Sequence, residues 1–302
     1  MNTPKRDLPA SVAARLLHMA KASGDDYQVL FTSFCFERLL FRLGASTARD
    51  RFVLKGAMLL RLWSDQPYRM TRDLDLLHVG NSTHDSIRED LDIVCRAEVD
   101  SVAVEFDASE ARIGAIRAET GGFRVALPAR SGRARLQLQI DIGFGDSVWP
   151  APQRCLYPGL LDFQPPEVLV YPREVVVAEK LEAIVVLGER NSRIKDFFDL
   201  RFLASRFDFE RTTLSEAIRR TFERRGTPIP ADPPVGLTAM FWENPSRPAQ
   251  VSSFARRAGL TIPTNPVVEL AQLIGDLLLP LLADLHRGTV RGGAWPPGGP
   301  WR

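Results

Sequence analysis

Apolar and polar positions follow two rhythms along this chain. Residues 8–20 and 26–43 place apolar side chains at the three- and four-residue intervals of a helix face, with Asp25-Asp26 set to cap the second. Phe52 to Leu54 is predicted as a short strand entering a Lys55-Gly56 turn. A helix through Met58, Leu59, Leu62 and Trp63 follows, stopped by Pro67. Asp73 to Val79 is predicted as a strand, and Asn81-Ser82 as the cap of a polar helix running to about Val99. Val102 to Phe106 and Gly122 to Leu127 are further strand candidates. The clearest strand is Arg135 to Phe144, where Leu136, Leu138, Ile140 and Ile142 face one way and Gln137, Gln139 and Asp141 the other.

From about Pro172 the pattern becomes helical almost without strands. Helices are predicted from Pro172 to Leu187, from Ser192 to Ser205, from Leu214 to Arg224 and from Val267 to His286. Pro228 to Pro234 is predicted as an exposed connection, and residues 226–265 give the weakest pattern. The Gly- and Pro-rich segment 289–302 is predicted to be a disordered tail. The chain thus divides into an α/β part, residues 1–171, with a mixed sheet and flanking helices, and an all-helical part, residues 172–288.

Composition narrows the function only a little. The 302 residues are 45% hydrophobic and 25% charged, which suits a globular protein with a substantial core. A net charge of +2 neither demands nor excludes a nucleic-acid partner, but leaves room for a local basic patch. Cys35, Cys95 and Cys155 are too scattered for a metal cluster or a disulfide framework, and are read as reduced thiols of a cytoplasmic protein. The N-terminus, with Lys5, Arg6 and Asp7, lacks a signal peptide's apolar run. The longest apolar stretch, Val267 to Leu285, is broken by Glu269, Asp276 and Pro280, so it is predicted as a core helix and no membrane partner is expected.

Asp73 and Asp75 carry the strongest chemical signal. On a strand they share a face while Leu74 and Leu76 take the other. Two adjacent carboxylates repel unless a cation joins them, and Mg²⁺ (or Mn²⁺) favours oxygen ligands and bridges to substrate phosphates. Asp141 sits on the polar face of its own strand. If that strand neighbours the one bearing Asp73 and Asp75, three carboxylates meet and could support displacement at a nucleotide phosphate. Otherwise Asp141 merely opens a turn before Gly143 and Gly145. Lys55-Gly56 offers a small turn where phosphates could approach backbone amides.

A second signal lies in the helical part. Lys180 shares an apolar face with Val176, Val177, Ile184 and Leu187, and Asp196 and Asp199 share one with Leu200 and Leu203. A lysine and two acids on buried faces explain one another if they meet. Their pairing is either a structural tie between helices or a device that sets Lys180 on a nucleotide triphosphate. Arg219, Arg220, Arg224 and Arg225, with Phe222 among them, either grip an RNA backbone or form a solvated helix end. The four histidines are scattered and no Ser/His/Asp arrangement stands out.

In order, Lys55-Gly56-Ala57, Arg69-Met70-Thr71-Arg72-Asp73-Leu74-Asp75-Leu76, Glu179-Lys180-Leu181 and Arg193-Ile194-Lys195-Asp196-Phe197-Phe198-Asp199-Leu200 resemble the motifs of the AbiEii toxin family. These are nucleotidyltransferase-like toxins of bacterial abortive-infection and toxin–antitoxin systems, and they include the MenT toxins. The resemblance implies a polymerase-β-like nucleotidyltransferase domain followed by a helical C-terminal domain, with the active site in the cleft between them. It implies metal binding by Asp73 and Asp75 and a need for Lys180 and for Asp196 or Asp199; Asp141, from its place on the polar strand face, is read as completing the cluster or acting as base. Lys55, Gly56, Ala57, Thr71 and Lys180 would contact the nucleotide. NTP is the implied donor, a tRNA 3′ end the implied acceptor and a cognate antitoxin the implied partner. Ala57 stands where the family commonly has a second glycine, and Thr71 where it commonly has serine, which keeps a hydroxyl for phosphate contact or phosphorylation. The competing readings are a small-molecule nucleotidyltransferase of the antibiotic-modifying kind and a catalytically inactive binding module.

Overall fold

The computed structural model describes residues 7–64, 69, 71–80, 82–99, 102–116, 121–289 and 291–302. Pro67 as a helix stop, Asn81 as part of a cap, Met70 in the acidic motif, and Lys5 and Arg6 lie outside them. The chain forms two compact units, Met1–Gly145 with Gln153–Val170, and Asp146–Pro152 with Tyr171–Arg302.

The first unit opens with helices α1 (Leu8–Ser23) and α2 (Tyr27–Ala45). Asp26 caps α2 as the sequence suggests, its carboxylate accepting from Gln28 N at 2.8 Å. Then come β1 (Phe52–Lys55), α3 (Met58–Leu62), β2 (Asp73–His78), α4 (His84–Arg96), β3 (Glu105–Phe106) and β4 (Arg112–Ala115). Strands β5 (Phe123–Ser131), β6 (Ala134–Phe144), β7 (Gln153–Leu156) and β8 (Glu167–Val170) complete the unit. The strands form one mixed sheet in the order β3-β5-β6-β2-β1-β8-β7, with β4 on the edge of β5. β2 is central, antiparallel to β1 and parallel to β6.

The alternation read from β6 holds: Leu138, Ile140 and Ile142 are fully buried, as are Leu54 and Leu74 on neighbouring strands. α2 packs against α4, β6 and β8, so the apolar face of the sheet has its cover and the polar face is left to carry chemistry. The strand expected at Val102–Phe106 shrinks to Glu105–Phe106, because Ala103 and Val104 turn inward ahead of it. α4 is capped by Thr83, whose side chain accepts from Ser86 N while Ser86 Oγ accepts from Thr83 N.

The second unit contains α5 (Arg173–Leu187), α6 (Ile194–Arg206), β9 (Phe209–Glu210), α7 (Arg211–Arg225), α8 (Ala239–Trp242), α9 (Arg247–Ala258), α10 (Leu273–His286) and β10 (Ala294–Trp295). Two expectations are corrected here. The unit is not all-helical, because β9 pairs antiparallel with β10. The tail does not hang free: Trp295 is buried and donates from Nε1 to Ala204 O at 2.8 Å, and Trp301 donates to Leu277 O at 2.9 Å. Two tryptophans outweigh the glycines and prolines around them, since each buries a large apolar surface and satisfies its one donor. Residues 226–265 contain α8 and α9, too short or too polar for their periodicity to show. A π-helical turn, Val267–Gln272, leads into α10.

Among the described residues no helix is long and apolar enough to cross a membrane. Cys35, Cys95 and Cys155 are free thiols, and burial pushes that of Cys95 up to about 12, which makes it inert as a nucleophile.

Candidate active site

The polar face of the central strands gathers the acidic residues. On β2, Leu74 is fully buried beneath the sheet while Asp73 and Asp75 are half-buried on the other side. In register, Asp75 stands opposite Lys55 on β1 and opposite Asp141 on β6, and Asp141 stands opposite Arg124 on β5. Directly opposed residues share a face. Lys55, Asp75, Asp141 and Arg124 therefore form one row across neighbouring strands, with Asp73 a step along on the same side. The condition set for Asp141, that its strand neighbours β2, is met.

Arg124 is the residue that the sequence did not single out. Its Nε donates to Asp141 Oδ1 at 2.8 Å and its Nη2 to Asp141 Oδ2 at 2.7 Å, a two-pronged charged pair. The hydrogen bonds from Arg124 to Asp141 and the charge of Asp141 raise the guanidinium pKa, and the charges of Asp73 and Asp75 add to this. The guanidinium thus feels all three carboxylates. The available signal was positional: on a strand from Gly122 to Leu127, Arg124 alternates with the buried Val125 and Leu127.

Gly56 has φ +71°, and a Cβ there would come within 2.6 Å of the Asp75 Cγ. The turn after β1 needs glycine because the Asp75 carboxylate occupies the space a side chain would fill. Ala57 immediately precedes α3, which at five residues is too short to serve as an anion-binding helix end. Thr71 Oγ1 donates to Asp73 O at 3.1 Å and accepts from Asp73 N at 3.3 Å, so its hydroxyl fixes the chain as it enters β2.

Asp73 and Asp75 are an all-oxygen pair of the kind Mg²⁺ accepts when nucleotide phosphates complete its shell, and they fit such an ion. Asp141 as placed does not add to that pair, since both its oxygens are engaged by Arg124. Accordingly, no group of three or more acid, histidine or cysteine side chains among the described residues is arranged to hold a metal ion.

In the second unit, Lys180 Nζ donates to Asp196 Oδ1 and to Asp199 Oδ2, each at 2.7 Å. Asp196 and Asp199 are fully buried, and Arg193 Nε reaches the second oxygen of Asp196 at 2.8 Å. The apolar-face reading that placed one cation and two acids together is correct in geometry. Arg193 also lines a groove of about 620 Å³ with Lys195, Arg257, Gln250, Ser253 and Phe254, and among the described residues no acidic side chain lines it.

In the other basic cluster Arg219, Arg220 and Arg225 are engaged in ion pairs. Arg219 is held by Glu216 and Glu223, and Arg220 is held by Glu216 with its guanidinium 4.4 Å from the Trp149 ring centre. Arg225 is turned inward onto Glu182 at 2.7 Å, beside Glu179 at 3.5 Å. Glu216 and Glu223, three and four residues away on the same helix, engage Arg219 and Arg220, which a reading confined to the arginines overlooks.

A Ser/His/Asp chain, absent from the sequence reading, does form. Ser82 Oγ lies 2.9 Å from His78 Nδ1, and His78 Nε2 lies 2.8 Å from Asp90 Oδ2. His78 and Asp90 are buried and Arg51 pairs with Asp90. Both ring nitrogens are committed, and the chain ties the end of β2 to α4.

The exposed face of the mixed sheet thus carries paired aspartates beside a glycine turn. The chain belongs to the AbiEii family, the nucleotidyl transferase toxins of type IV toxin–antitoxin systems, whose family model matches residues 38–271. Membership brings use of an NTP and partnership with an antitoxin. Among solved structures, JHP933 from Helicobacter pylori is similar at 15% identity and TM-score 0.48, covering 87% of this chain and 95% of its own. The MenT4 nucleotidyltransferase toxin of Mycobacterium tuberculosis is similar at 17% identity and TM-score 0.44, covering 92% and 87%. A comparison with curated proteins finds no match.

Proposed function

We propose that this toxin transfers a nucleoside monophosphate from an NTP to an RNA hydroxyl, with a tRNA 3′ end as acceptor. The outcome is growth arrest by blocked translation in the cytoplasm, relieved by the cognate antitoxin. The observation that carries this reading is the row Lys55, Asp75, Asp141 and Arg124, with Asp73 on the same face. It belongs to the first unit, for which we read a polymerase-β-like fold, and the second unit follows it through the C-terminal segment.

In this reading Asp73 and Asp75 hold a Mg²⁺ (or Mn²⁺) ion, which when bound supplies positive charge to the phosphates and the departing pyrophosphate. Gly56 leaves room for the Asp75 carboxylate, and Thr71 fixes the approach to Asp73. Asp141 orients Arg124 toward the phosphates, and Lys55 adds charge at the other end of the row. The acceptor oxygen forms a bond to the α-phosphorus while the bond from that phosphorus to the bridging oxygen of the β-phosphate breaks. Pyrophosphate leaves and the hydroxyl proton passes to water. Lys180 neutralises the triphosphate, with Asp196 and Asp199 fixing its position.

The acid-free groove lined by Arg193, Lys195 and Arg257 supports a phosphate-rich acceptor. It is unsuited to a polycationic antibiotic, which speaks against the small-molecule reading. The intact acidic row speaks against an inactive module.

The test is transfer of α-³²P label from each of the four NTPs to total cellular RNA with Mg²⁺, the Asp75→Ala variant run alongside. Label in a tRNA-sized band, lost in the variant, is the expected result. Label on protein or a small molecule instead would refute the acceptor, and no label from folded protein would refute the transferase reading.

A further inference from the structure

We propose that Arg124 stands in the place of a second divalent ion, so that this site works with one ion on Asp73 and Asp75 and uses the guanidinium as its other cation. The inference rests on the reading of Asp73 and Asp75 as a nucleotide–metal site. A two-ion centre for displacement at phosphorus holds its ions about 3.5–4 Å apart and needs carboxylate ligands for both. Asp141 is the carboxylate placed to ligate the second ion, since it stands opposite Asp75 across the parallel pair. Both of its oxygens instead accept from Arg124, at 2.8 and 2.7 Å.

This pairing is built into the sheet. β5 is paired with β6 along its whole length, and Arg124 is the direct partner of Asp141 in that register. Its neighbours Val125 and Leu127 are fully buried, which fixes the face on which Arg124 stands. A guanidinium does not deprotonate in a protein, so the charge stays at the site at every working pH.

Charge balance points the same way. Asp73, Asp75 and Asp141 sum to three negative charges, Arg124 and Lys55 on the same face offset two, and one divalent ion more than covers the third. A second divalent ion would have to share Asp141 with a guanidinium already hydrogen-bonded to both oxygens, where the two cations repel. The fork of the guanidinium also matches two phosphate oxygens, a role a compact ion cannot fill in the same way.

The test counts ions. Mn²⁺ is titrated into a stoichiometric complex of the full chain with a non-hydrolysable NTP analogue, and free ion is read from its electron paramagnetic resonance signal. One bound ion per wild-type chain is expected, and two for Arg124→Gln, in which Asp141 is released. Circular dichroism of the variant, whose side chain is half exposed, checks that the fold is intact. Two ions in the wild type, or one in both proteins, would overturn the inference while leaving the nucleotide–metal site standing. Binding that Asp75→Asn leaves unchanged would overturn both, because the ion would then not depend on the acidic pair.

Discussion

Gly56 and Asp75 share a space that only one side chain can occupy. The carboxylate of Asp75 lies against the glycine backbone, which at φ +71° adopts a conformation other residues resist. Gly56→Ala therefore both strains the turn and displaces the carboxylate. A misplacement of about 1 Å near the reacting atoms can cost about 100-fold. Label transfer from NTP is expected to fall by at least that factor, with a stability loss of about 1 kcal/mol or more from the turn. Urea denaturation beside the transfer assay separates the two effects. Full activity in a folded variant would mean that Asp75 has no fixed place in the reaction.

Lys180 meets two carboxylates that water does not reach. Asp196 and Asp199 are fully buried, so Lys180→Ala leaves at least one of them uncompensated, a loss of about 3–5 kcal/mol in unfolding free energy. Lys180→Arg restores the charge and most of the stability. It does not restore a compact ammonium on the triphosphate, so weaker NTP binding is expected to persist in that variant. Recovery of both properties together in Lys180→Arg would reduce the residue to a tie between helices.

The groove beside Arg193 gives a salt-dependent prediction. Lys195→Glu combined with Arg257→Glu removes two cations from its wall. The slope of log affinity for tRNA against log salt is expected to fall by about 1 for each phosphate that the groove no longer neutralises, with NTP affinity unchanged. Unaltered RNA binding would place the acceptor elsewhere on the protein.

How much of this was legible in the sequence depended on whether a feature was local. Asp73 and Asp75 could be assigned to one face from period-two alternation alone, and Lys180, Asp196 and Asp199 to buried faces from helical spacing. The register that sets Asp75 opposite Asp141 is a long-range fact, which the sequence could state only as a condition. Arg124 was missed because its importance comes from the strand beside it. The arginines of α7, open on sequence between an RNA contact and a solvated helix end, have Glu216 and Glu223 within one turn, a signal that is itself local. His78, Ser82 and Asp90 meet only once β2 and α4 have packed.

The start of α7 should show in acid. Glu210 caps that helix and, although burial pushes its carboxyl up, hydrogen bonds from Thr212 and Thr213 bring it from the ordinary 4.5 down to about 2. A depressed folded-state pKa stabilises the fold above the unfolded value, and that stabilisation is lost as pH falls from about 4.5 to about 2. Glu210→Gln is expected to cost about 1 kcal/mol at pH 7, the usual worth of a cap. The gap to the wild type should close across that window in urea midpoints. A gap that persists at the acid end would show that the charge on Glu210 is not what holds the helix start.

Trp295 decides whether the C-terminal segment belongs to the fold. Its ring is buried, its Nε1 donates to Ala204 O at 2.8 Å, and its strand pairs with Phe209 and Glu210 just ahead of α7. Trp301 packs on it at 5.7 Å between ring centres and donates to Leu277 O on α10. One short segment thereby joins α6, α10 and the strand before α7. Trp295→Ala removes the anchor and one of the two donors to the Ala204 carbonyl, which Gly298 N also reaches at 2.9 Å, so a loss of about 3–5 kcal/mol is expected. Limited proteolysis offers a second view: the wild-type tail should resist cleavage under conditions where the variant is trimmed near Gly292. A variant as stable and as resistant as the wild type would return the tail to the disordered state that its glycines and prolines suggest.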